Sequence, residues 1–297
     1  MSDVLLSVSN ALADAVETAG KGVVRVEARR RLPATGIVWS ADGVIVTAHH
    51  VVERDDDITV GLPNGETAAA KLVGRDPSTD LAVLRTDAKG LTALAQATPD
   101  TLRVGHLVLA IGRPGADVLS TLGIVSALGE PWRSRSGGQF DRYLQTDVAM
   151  YPGFSGGPLI DVSGNVLGLN TSSMGDVSLT IPTPTIQRVV QALLAHGKVK
   201  QGYLGVGAQP VRLPEALKEK LGQETGLLLA SVESDSPADK GGLMLGDTLV
   251  GMAGQPVRHM DDLAGVLNGD RVGKAVPCKI IRGGKVQELT VTIGERA

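Results

Sequence analysis

The stretch from residue 23 to about residue 181 is a series of short apolar runs separated by turn residues. Runs such as "GVVRVEA", "GVIVTA", "LAVLRT", "HLVLAIG" and "GNVLGLN" consist mostly of small and β-branched apolar residues. The 38 glycines of the 297-residue chain supply frequent turns between these runs. About a dozen short strands at such spacing are typical of β-barrels or β-sandwiches. The sequence therefore predicts a mainly β first domain.

Two helical patterns bracket this β-region. "SNALADAVETA" at 9–19 and "TPTIQRVVQALLAHGK" at 183–198 both place their apolar residues on one face. The polar segment "HGKVKQG" at 196–202 contains two glycines and predicts a linker. After it, strand-like and helix-like runs are mixed over roughly a hundred residues, which favours a small α+β domain. We therefore divide the chain into domains 1–197 and 198–297.

Charge and hydropathy limit the partners and the location. The net charge of −3 gives no strong field for nucleic acid or anionic lipid, so neither is expected as a partner. No apolar run is long enough to predict a membrane span. The first twenty residues contain Asp3, Asp14 and Glu17 but no Lys or Arg, unlike a secretory signal. This predicts a cytoplasmic protein if Met1 is the native start, and an exported protein otherwise.

Cysteine usage and motif content limit the chemistry. Cys278 is the single cysteine, so an intrachain disulfide is excluded, and its apolar surroundings in "VPCKII" predict a core residue. The sequence shows no metal-ligand cluster, no phosphate-binding glycine loop and no cofactor motif. We therefore expect no cofactor and no metal.

The stretch "PGFSGGPLID" at 152–161 contains a candidate nucleophile, Ser155. A serine that attacks a carbonyl must stand clear of its own backbone, with amides pointing at the oxygen that becomes negative. The glycines on both sides permit the backbone angles that such a turn requires. In that arrangement the amides of Gly153 and Ser155 form an oxyanion hole. A glycine-flanked serine is also common in ordinary turns, so this stretch alone leaves both interpretations open.

Two further stretches supply a candidate base and a candidate acid. "GVIVTAHHVV" is an apolar strand that runs into His49 and His50, and histidine is the usual partner that takes a proton from serine. "DPSTDLAVLR" places Asp80 directly before another strand, where it either caps a turn or orients a histidine. Each signal is weak by itself. Together they place His, Asp and Ser in the chymotrypsin-like order within an all-β region.

With these three stretches, the chain resembles the HtrA (Deg) family of serine proteases. The resemblance covers nearly the whole sequence, and the matching stretches follow one another in the same order as in the family. It implies a mainly β fold: a chymotrypsin-like double β-barrel protease domain followed by one small α+β PDZ domain. The matching stretches are "TGIVWSADGVIVTAHHVV", "GRDPSTDLAVLR", "YLQTDVAMYPGFSGGPLID", "GYLGV" and "SPADKGGLMLGDTLVGMAGQPV".

The resemblance also implies a role for each site residue. His50, which precedes Val-Val, is the general base, and Asp80 orients it. Ser155 attacks the substrate, and the amides of Gly153 and Ser155 hold the oxyanion. His49 stands where relatives usually carry a polar residue such as Asn, so we treat it as a neighbour of the triad.

Some positions depart from the family pattern. Phe154 and Tyr151 stand where relatives usually have Asn. These aromatic residues either hold the oxyanion loop in another arrangement until a substrate or partner resets it, or simply pack outward. The loop 129–142 occupies the place of the regulatory sensor loop, but Glu130 replaces the usual Arg. Arg133 or Arg135 is a candidate replacement.

The second domain carries its own expected site. "YLGV" matches the carboxylate-binding loop of PDZ domains, whose successive amides bind the terminal carboxylate of a peptide. The peptide then adds as a strand beside the strand that follows, and C-terminal peptides are the expected partners of this domain. The implied loop residues are Tyr203, Leu204, Gly205 and Val206.

The specificity pocket is expected to be uncharged. Ala149 stands where trypsin-like enzymes that cut after basic residues place an Asp. The opposite wall is expected at Leu179, Thr180 and Ile181. We therefore predict cleavage after small or medium apolar residues.

The resemblance implies an ATP-independent serine endopeptidase that degrades unfolded or damaged proteins. It also implies a homotrimer or a higher homo-oligomer, with the helix at 9–19 in the segment that relatives use for trimer contacts. A rival interpretation is a non-catalytic holdase or adaptor that binds chain ends through the PDZ domain and has a collapsed protease site.

Overall fold

The computed structural model describes residues 2–97, 101–134, 137–173, 178–267 and 269–295. The chain divides into two compact units, Met1–Val199 and Lys200–Ala297, and each has its own hydrophobic core.

The first unit begins with a helix that is longer than the one predicted at 9–19. Helix α1 spans Ser2–Gly20, because no glycine or proline interrupts the segment before Ser9. Its C-terminal half packs onto the barrels through the buried residues Ala15 and Ala19. Its N-terminal half carries exposed apolar side chains at Val4, Leu5, Leu6 and Val8.

Six antiparallel strands close the first barrel. The strand Val44–Ala48 is buried along its whole length, so both of its faces pack against other parts of the unit. The strands are β1 (Val23–Glu27), β2 (Ala34–Ser40), β3 (Val44–Ala48), β4 (Ile58–Gly61), β5 (Thr67–Asp76) and β6 (Leu81–Thr86). They pair in the order β1-β2-β3-β6-β5-β4.

A second barrel follows. Its core contains Phe154, which the sequence analysis placed in the loop around Ser155. Between its second and third strands a short two-stranded sheet projects, formed by β9 (Trp132–Arg133) and β10 (Gln139–Phe140). The barrel strands are β7 (Leu107–Gly112), β8 (Leu119–Gly129), β11 (Tyr143–Thr146), β12 (Pro158–Ile160), β13 (Val166–Thr171) and β14 (Ser178–Pro182). They pair in the order β11-β14-β13-β12-β7-β8. The predicted double β-barrel is therefore confirmed.

Helix α2, Thr183–His196, closes the first unit. It buries Ile186, Val189, Val190 and Leu193, which are four of the five residues that form its predicted apolar face. Gly197 ends the helix in the left-handed conformation, with φ of 70°.

The second unit is a small α+β domain built on a six-stranded and a two-stranded antiparallel sheet. Its strands are β15 (Gly202–Tyr203), β16 (Val206–Arg212), β17 (Thr225–Val232), β18 (Thr248–Met252), β19 (Gln255–Pro256), β20 (Ala275–Arg282), β21 (Lys285–Thr292) and β22 (Gly294–Glu295). The main sheet has the order β16-β17-β18-β20-β21, β19 pairs with β18, and β15 pairs with β22. Its helices are α3 (Glu215–Leu221), α4 (Pro237–Lys240) and α5 (Met260–Val266).

Candidate active site

The register of two strands brings the candidate base and acid together. Strands β3 and β6 are antiparallel, and Ala48 lies opposite Leu81. The residues that follow β3 therefore lie beside the residue that precedes β6. One turn of 3-10 helix, His49–Val51, follows β3, and the His49 amide donates to the carbonyl of Asp80 at 2.9 Å.

The Asp80 carboxylate holds His50 by backbone and side chain. The His50 amide donates to Asp80 Oδ1 at 2.9 Å, and His50 Nδ1 lies 2.8 Å from Asp80 Oδ2. A carboxylate accepts hydrogen bonds only, so Nδ1 carries the proton and Nε2 is left as an acceptor. This is the tautomer that a general base requires.

Asp80 itself is buried and has an unusual backbone. Its side chain is only 5% exposed, and its φ is 57°, in the left-handed region that non-glycine residues rarely adopt. Such strain persists where the surrounding structure fixes it, and it is concentrated at functional sites.

Two hydroxyl residues that we did not anticipate complete the carboxylate's environment. Thr171, the last residue of β13, donates to Asp80 Oδ2, and Ser173 donates to the same oxygen at 2.7 Å. Burial by itself raises the pKa of Asp80, but the hydrogen bonds and the charge of His50, with the two hydroxyl donors, outweigh it and lower that pKa. The only sequence signal for these donors was a run of three hydroxyl residues at 171–173 after a strand.

His49 does not share in this arrangement. Its Nδ1 is buried and has no hydrogen-bond partner within the described ranges. Burial lowers the pKa of His49, which favours its neutral form. The structure therefore brings His50, and not His49, to the carboxylate.

Ser155 lies next to Ser172, the residue that follows β13. Its Oγ is 3.0 Å from Ser172 Oγ, and the two hydroxyls are hydrogen-bonded. In the part of the chain that the structure describes, Ser155 Oγ makes no hydrogen bond to His50. Hydrogen bonds of catalytic groups are often long before substrate binds, so the site is at rest with the serine hydroxyl turned to Ser172.

The glycines around Ser155 are required by space as well as by conformation. Gly153 and Gly156 have φ of 91° and 88°. A Cβ at Gly156 would lie 2.1 Å from the carbonyl oxygen of Thr35, and one at Gly153 would lie 2.5 Å from Pro114 Cβ. No other residue type fits either position without displacing its neighbours.

The amides of this loop fall into two groups. Those of Phe154, Gly156 and Gly157 each donate to a backbone carbonyl at 2.9–3.0 Å. Those of Gly153 and Ser155 donate to no acceptor among the described residues. The unpaired amides are the two that the sequence predicts for the oxyanion hole.

The two aromatic residues of the loop behave differently. Phe154 is fully buried in the core of the second barrel, so it does not pack outward. Tyr151 is 56% exposed, and its ring meets that of Phe154 edge to face at 5.7 Å. The phenylalanine that replaces a polar residue therefore anchors the loop in the barrel.

The four residues predicted for the specificity pocket differ in exposure. Ala149 is exposed, and its carbonyl accepts a hydrogen bond from Thr121 Oγ1 at 2.9 Å. Leu179 and Thr180 lie in β14 with 7% and 5% of their surface exposed. Ile181 is wholly buried in the hydrophobic core. Its side chain is therefore part of the core.

The predicted sensor loop contains the β9–β10 sheet. Trp132 stacks on Phe140 with ring centroids 4.6 Å apart, and Ser134 Oγ donates to the carbonyl of Ser78 at 3.0 Å. Glu130 is exposed. Arg135 lies outside the described residues.

The predicted carboxylate loop lies between β15 and β16. Gly205 has φ of 79°, and a Cβ there would lie 2.3 Å from Ser236 Cβ. Leu204 is buried, and its carbonyl accepts from the Ala238 amide at 2.9 Å. The hydroxyl of Tyr203 is hydrogen-bonded to Glu233.

The strand that begins at Val206 is an edge strand. β16 pairs with β17 on one side, and the described sheet has no strand on its other side. The α5 residues Leu263 and Val266 are buried in the core of this unit, whereas Met260 is 43% exposed. An edge with free backbone groups beside a helix is the geometry that accepts an added peptide strand.

Comparisons with known proteins agree with this architecture. Residues 34–169 match the model of the trypsin-like peptidase domain, and residues 202–293 match the PDZ domain. A solved structure described as HtrA-type protease AlgW with decapeptide is 31% identical, with a TM-score of 0.80. The alignment covers 96% of this chain and 99% of that one. The chain belongs to the HtrA family of serine proteases.

Curated members of the HtrA family extend beyond this chain. A relative from Ectopseudomonas mendocina, named probable periplasmic serine endoprotease DegP-like, is 41% identical over 267 residues. That match covers 88% of this chain and 56% of the relative. A relative of the same name from Chlamydia muridarum is 37% identical over 276 residues, which are 91% of this chain and 55% of the relative. The HtrA chain described here thus spans about half the length of these proteins.

The predicted cytoplasmic location is wrong, because these HtrA relatives are named periplasmic, which indicates an exported protein. The acidic residues behind that prediction lie in α1, a helix of the folded unit. Their charges therefore carry no information about a leader. Within the described ranges, no helix is both long and apolar enough to cross a bilayer.

The low pKa of Asp80 predicts a pH-dependent contribution to stability. A carboxyl with a lowered pKa in the folded state stabilises the fold above its unfolded pKa, and this contribution is lost as the pH falls through the folded pKa. Thr171→Val removes one donor at nearly constant volume. We expect it to lower the free energy of unfolding by about 1.5–3 kcal/mol at neutral pH, and by less in acid.

Urea unfolding from neutral to acidic pH, followed by tryptophan fluorescence, measures this difference, because Trp39 and Trp132 both lie in the first unit. Thr183→Val is the matched control, since the buried Thr183 hydroxyl donates to the backbone carbonyl of Val166, which does not titrate. A Thr171→Val deficit that is the same at every pH contradicts the assignment.

Proposed function

We propose that the chain is a serine endopeptidase in which Ser155 attacks the peptide carbonyl, His50 is the general base and Asp80 orients His50. The observation that carries this proposal is the pairing of His50 Nδ1 with the buried Asp80 carboxylate, beside a loop with two unpaired amides. That arrangement leaves His50 Nε2 free to accept the serine proton.

The reaction begins with a rotation of the Ser155 hydroxyl. Its hydrogen bond to Ser172 is exchanged for one to His50 Nε2 by rotation of the Ser155 side chain about χ1 between staggered rotamers. His50 takes the proton as Oγ attacks, and the amides of Gly153 and Ser155 donate to the carbonyl oxygen as it becomes negative. His50 then returns the proton to the leaving amine as the C–N bond breaks, which leaves an ester on Ser155. A water molecule that gives its proton to His50 attacks this ester, and His50 returns the proton to Ser155 Oγ as the acid product leaves.

Unfolded or damaged polypeptides are the proposed substrates, and no nucleotide is required. The names of the HtrA relatives, which are serine endoproteases, support catalysis over a holdase with a collapsed site. The unpaired oxyanion amides also favour an enzyme, because a collapsed loop pairs its amides internally. Neither Gly153 nor Ser155 has such a partner among the described residues.

We propose that the second unit binds the free C-terminus of peptides. The Tyr203–Val206 loop supplies amides for the carboxylate, and the open edge of β16 supplies the main-chain groups for an added strand. The PDZ match and the peptide-bound HtrA-type structure support peptide recognition.

We also propose that the protein is a homotrimer or a higher homo-oligomer. The N-terminal half of α1 leaves four apolar side chains exposed, which a monomer would keep in water, and exposed apolar residues in such numbers are typical of interaction sites. Light scattering should give an oligomer that Leu5→Asp dissociates. Leu245→Asp, at an exposed leucine of the second unit, is the control. A monomer at every concentration contradicts the proposal.

Ser155→Ala should abolish cleavage of casein and leave the fold intact, because the reaction then has no nucleophile. The loss in turnover should be on the order of 10⁶. Release of acid-soluble peptides measures it, and Ser126→Ala, at an exposed serine of β8, controls for loss of a hydroxyl. Undiminished cleavage by the Ser155→Ala variant would remove the serine mechanism.

Cleavage should follow Val, Ala, Ile or Leu and avoid Lys and Arg. Ala149, Leu179 and Thr180 provide no carboxylate to pair with a basic side chain, and an unpaired buried charge is strongly disfavoured. Mass spectrometry of a digested peptide library measures the preference. A digest dominated by cuts after Arg rejects the pocket as proposed.

A peptide with an apolar C-terminal residue should bind to the second unit as the free acid and not as the C-terminal amide. The amide lacks the charge that the loop amides recognise. Fluorescence anisotropy measures both. Met260→Glu should weaken binding of the acid, whereas Met244→Glu, exposed outside α5, should not. Equal binding of acid and amide rejects the carboxylate loop.

A further inference from the structure

Three consecutive residues, Gly112, Arg113 and Pro114, lie against the loop that carries Ser155. Gly112 has no space for a side chain, because a Cβ there would lie 2.4 Å from Cδ1 of Phe154. Pro114 packs against Gly153, the residue before Phe154, since a Cβ on Gly153 would lie 2.5 Å from Pro114 Cβ. The ring of Phe154 and the backbone of Gly153 are thus fitted closely against this segment.

Arg113 reaches the same loop through one buried hydroxyl. Its amide donates to Thr35 Oγ1 at 2.8 Å, and Thr35 Oγ1 donates to the carbonyl of Gly153 at 2.7 Å. The Thr35 amide also donates to the carbonyl of Ser155 at 3.2 Å. Thr35 therefore fixes the carbonyls on both sides of Phe154, and its hydroxyl is oriented by Arg113.

The side chain of Arg113 anchors this segment to the body of the first unit. It is only 7% exposed, and its guanidinium donates to three backbone carbonyls at 2.6–3.0 Å. These belong to Gly20, the last residue of α1, to Val23, the first residue of β1, and to Ala116. No carboxylate forms an ion pair with Arg113 within the residues described. A planar guanidinium with several bonded donors holds its backbone more rigidly than an apolar side chain of similar size.

We propose that Arg113 is a positioning residue for the oxyanion hole. Its guanidinium holds residues 112–114 in place. These residues restrict the Gly153–Phe154 backbone in two ways, by the packing of Gly112 and Pro114 against it and by the hydrogen bonds through Thr35. The amides of Gly153 and Ser155 are thereby held in place while they have no hydrogen-bond acceptor among the described residues. Arg113 touches no reacting atom, and the inference rests on the proposed function. Because Gly20 is one of the three acceptors, the end of α1 and the oxyanion loop share an anchor.

Arg113→Met removes the three donors and keeps a long apolar stem. A fluorogenic peptide with Val before the scissile bond serves as substrate. We expect kcat to fall at least about tenfold, toward the 10²–10³ that loss of one oxyanion donor costs. We expect KM to change by less than about twofold, because the Arg113 side chain is buried and bonded to backbone carbonyls of the first unit. Labelling by a fluorophosphonate probe should slow in parallel. Arg85→Met is the control, since Arg85 pairs with Asp42 at the exposed surface.

Variants of Thr35 test the hydrogen-bonded link from Arg113 to Gly153 without the loss of a charge. Thr35→Ser keeps the bridging hydroxyl, and Thr35→Val removes it at nearly constant volume. We expect a fall in kcat for the Val variant and near-normal kcat for the Ser variant. This pair decides the question if Arg113→Met does not fold.

Two results would overturn the role of Arg113. One is a folded Arg113→Met protein, judged by near-UV circular dichroism, with unchanged kcat and labelling rate. The other is equal kcat in the Thr35→Val and Thr35→Ser variants. A wild-type chain that neither cleaves nor reacts with the probe rejects the proposed function itself, and the inference with it.

Discussion

The buried Asp80 carboxylate is the interaction on which the site depends, because it joins parts of both barrels. From the first barrel it receives the amide and Nδ1 of His50, and from the second it receives the hydroxyls of Thr171 and Ser173. A buried charge is tolerated only when it is fully hydrogen-bonded, so these donors are required for the carboxylate to remain ionised. Its ionised form in turn selects the histidine tautomer that catalysis needs. The stability of the barrel contact and the chemistry of the site thus have one common origin.

The oxyanion loop faces a different constraint, since it must keep two amides unpaired without collapsing. Three things restrict the loop: backbone hydrogen bonds of the neighbouring amides, positive φ at Gly153 and Gly156, and the buried ring of Phe154. Ordered, unpaired donors strengthen as charge develops on the substrate and need no reorganisation. The serine hydroxyl remains mobile by comparison, because Ser172 holds Ser155 Oγ by a single hydrogen bond.

The residue pattern predicted a mainly β first domain, a small α+β second domain and the order of His, Asp and Ser. The resemblance to the HtrA family supplied the two-barrel and PDZ architecture and the choice of His50 over His49. The structure gives the physical reason for that choice, because the register of β3 and β6 places the residues after β3 beside Asp80. The sequence did not predict Thr171 and Ser173, because hydroxyl residues at a strand end have no local signature and their role depends on the second barrel's position. It also left the direction of Phe154 open, since that depends on space beside the distant Gly112. The longer α1 was missed because its first turns leave their apolar side chains largely exposed and so lack the buried apolar face on which the prediction relied.

Reaction of the wild-type protein with a fluorophosphonate probe, with the labelled residue mapped by mass spectrometry, tests the central claim most directly. The probe reacts rapidly only with a serine that has both a general base and an oxyanion hole. The account predicts rapid labelling at Ser155 and almost none in a His50→Ala variant that remains folded. Labelling at another residue, or a rate that is the same with and without His50, would contradict it.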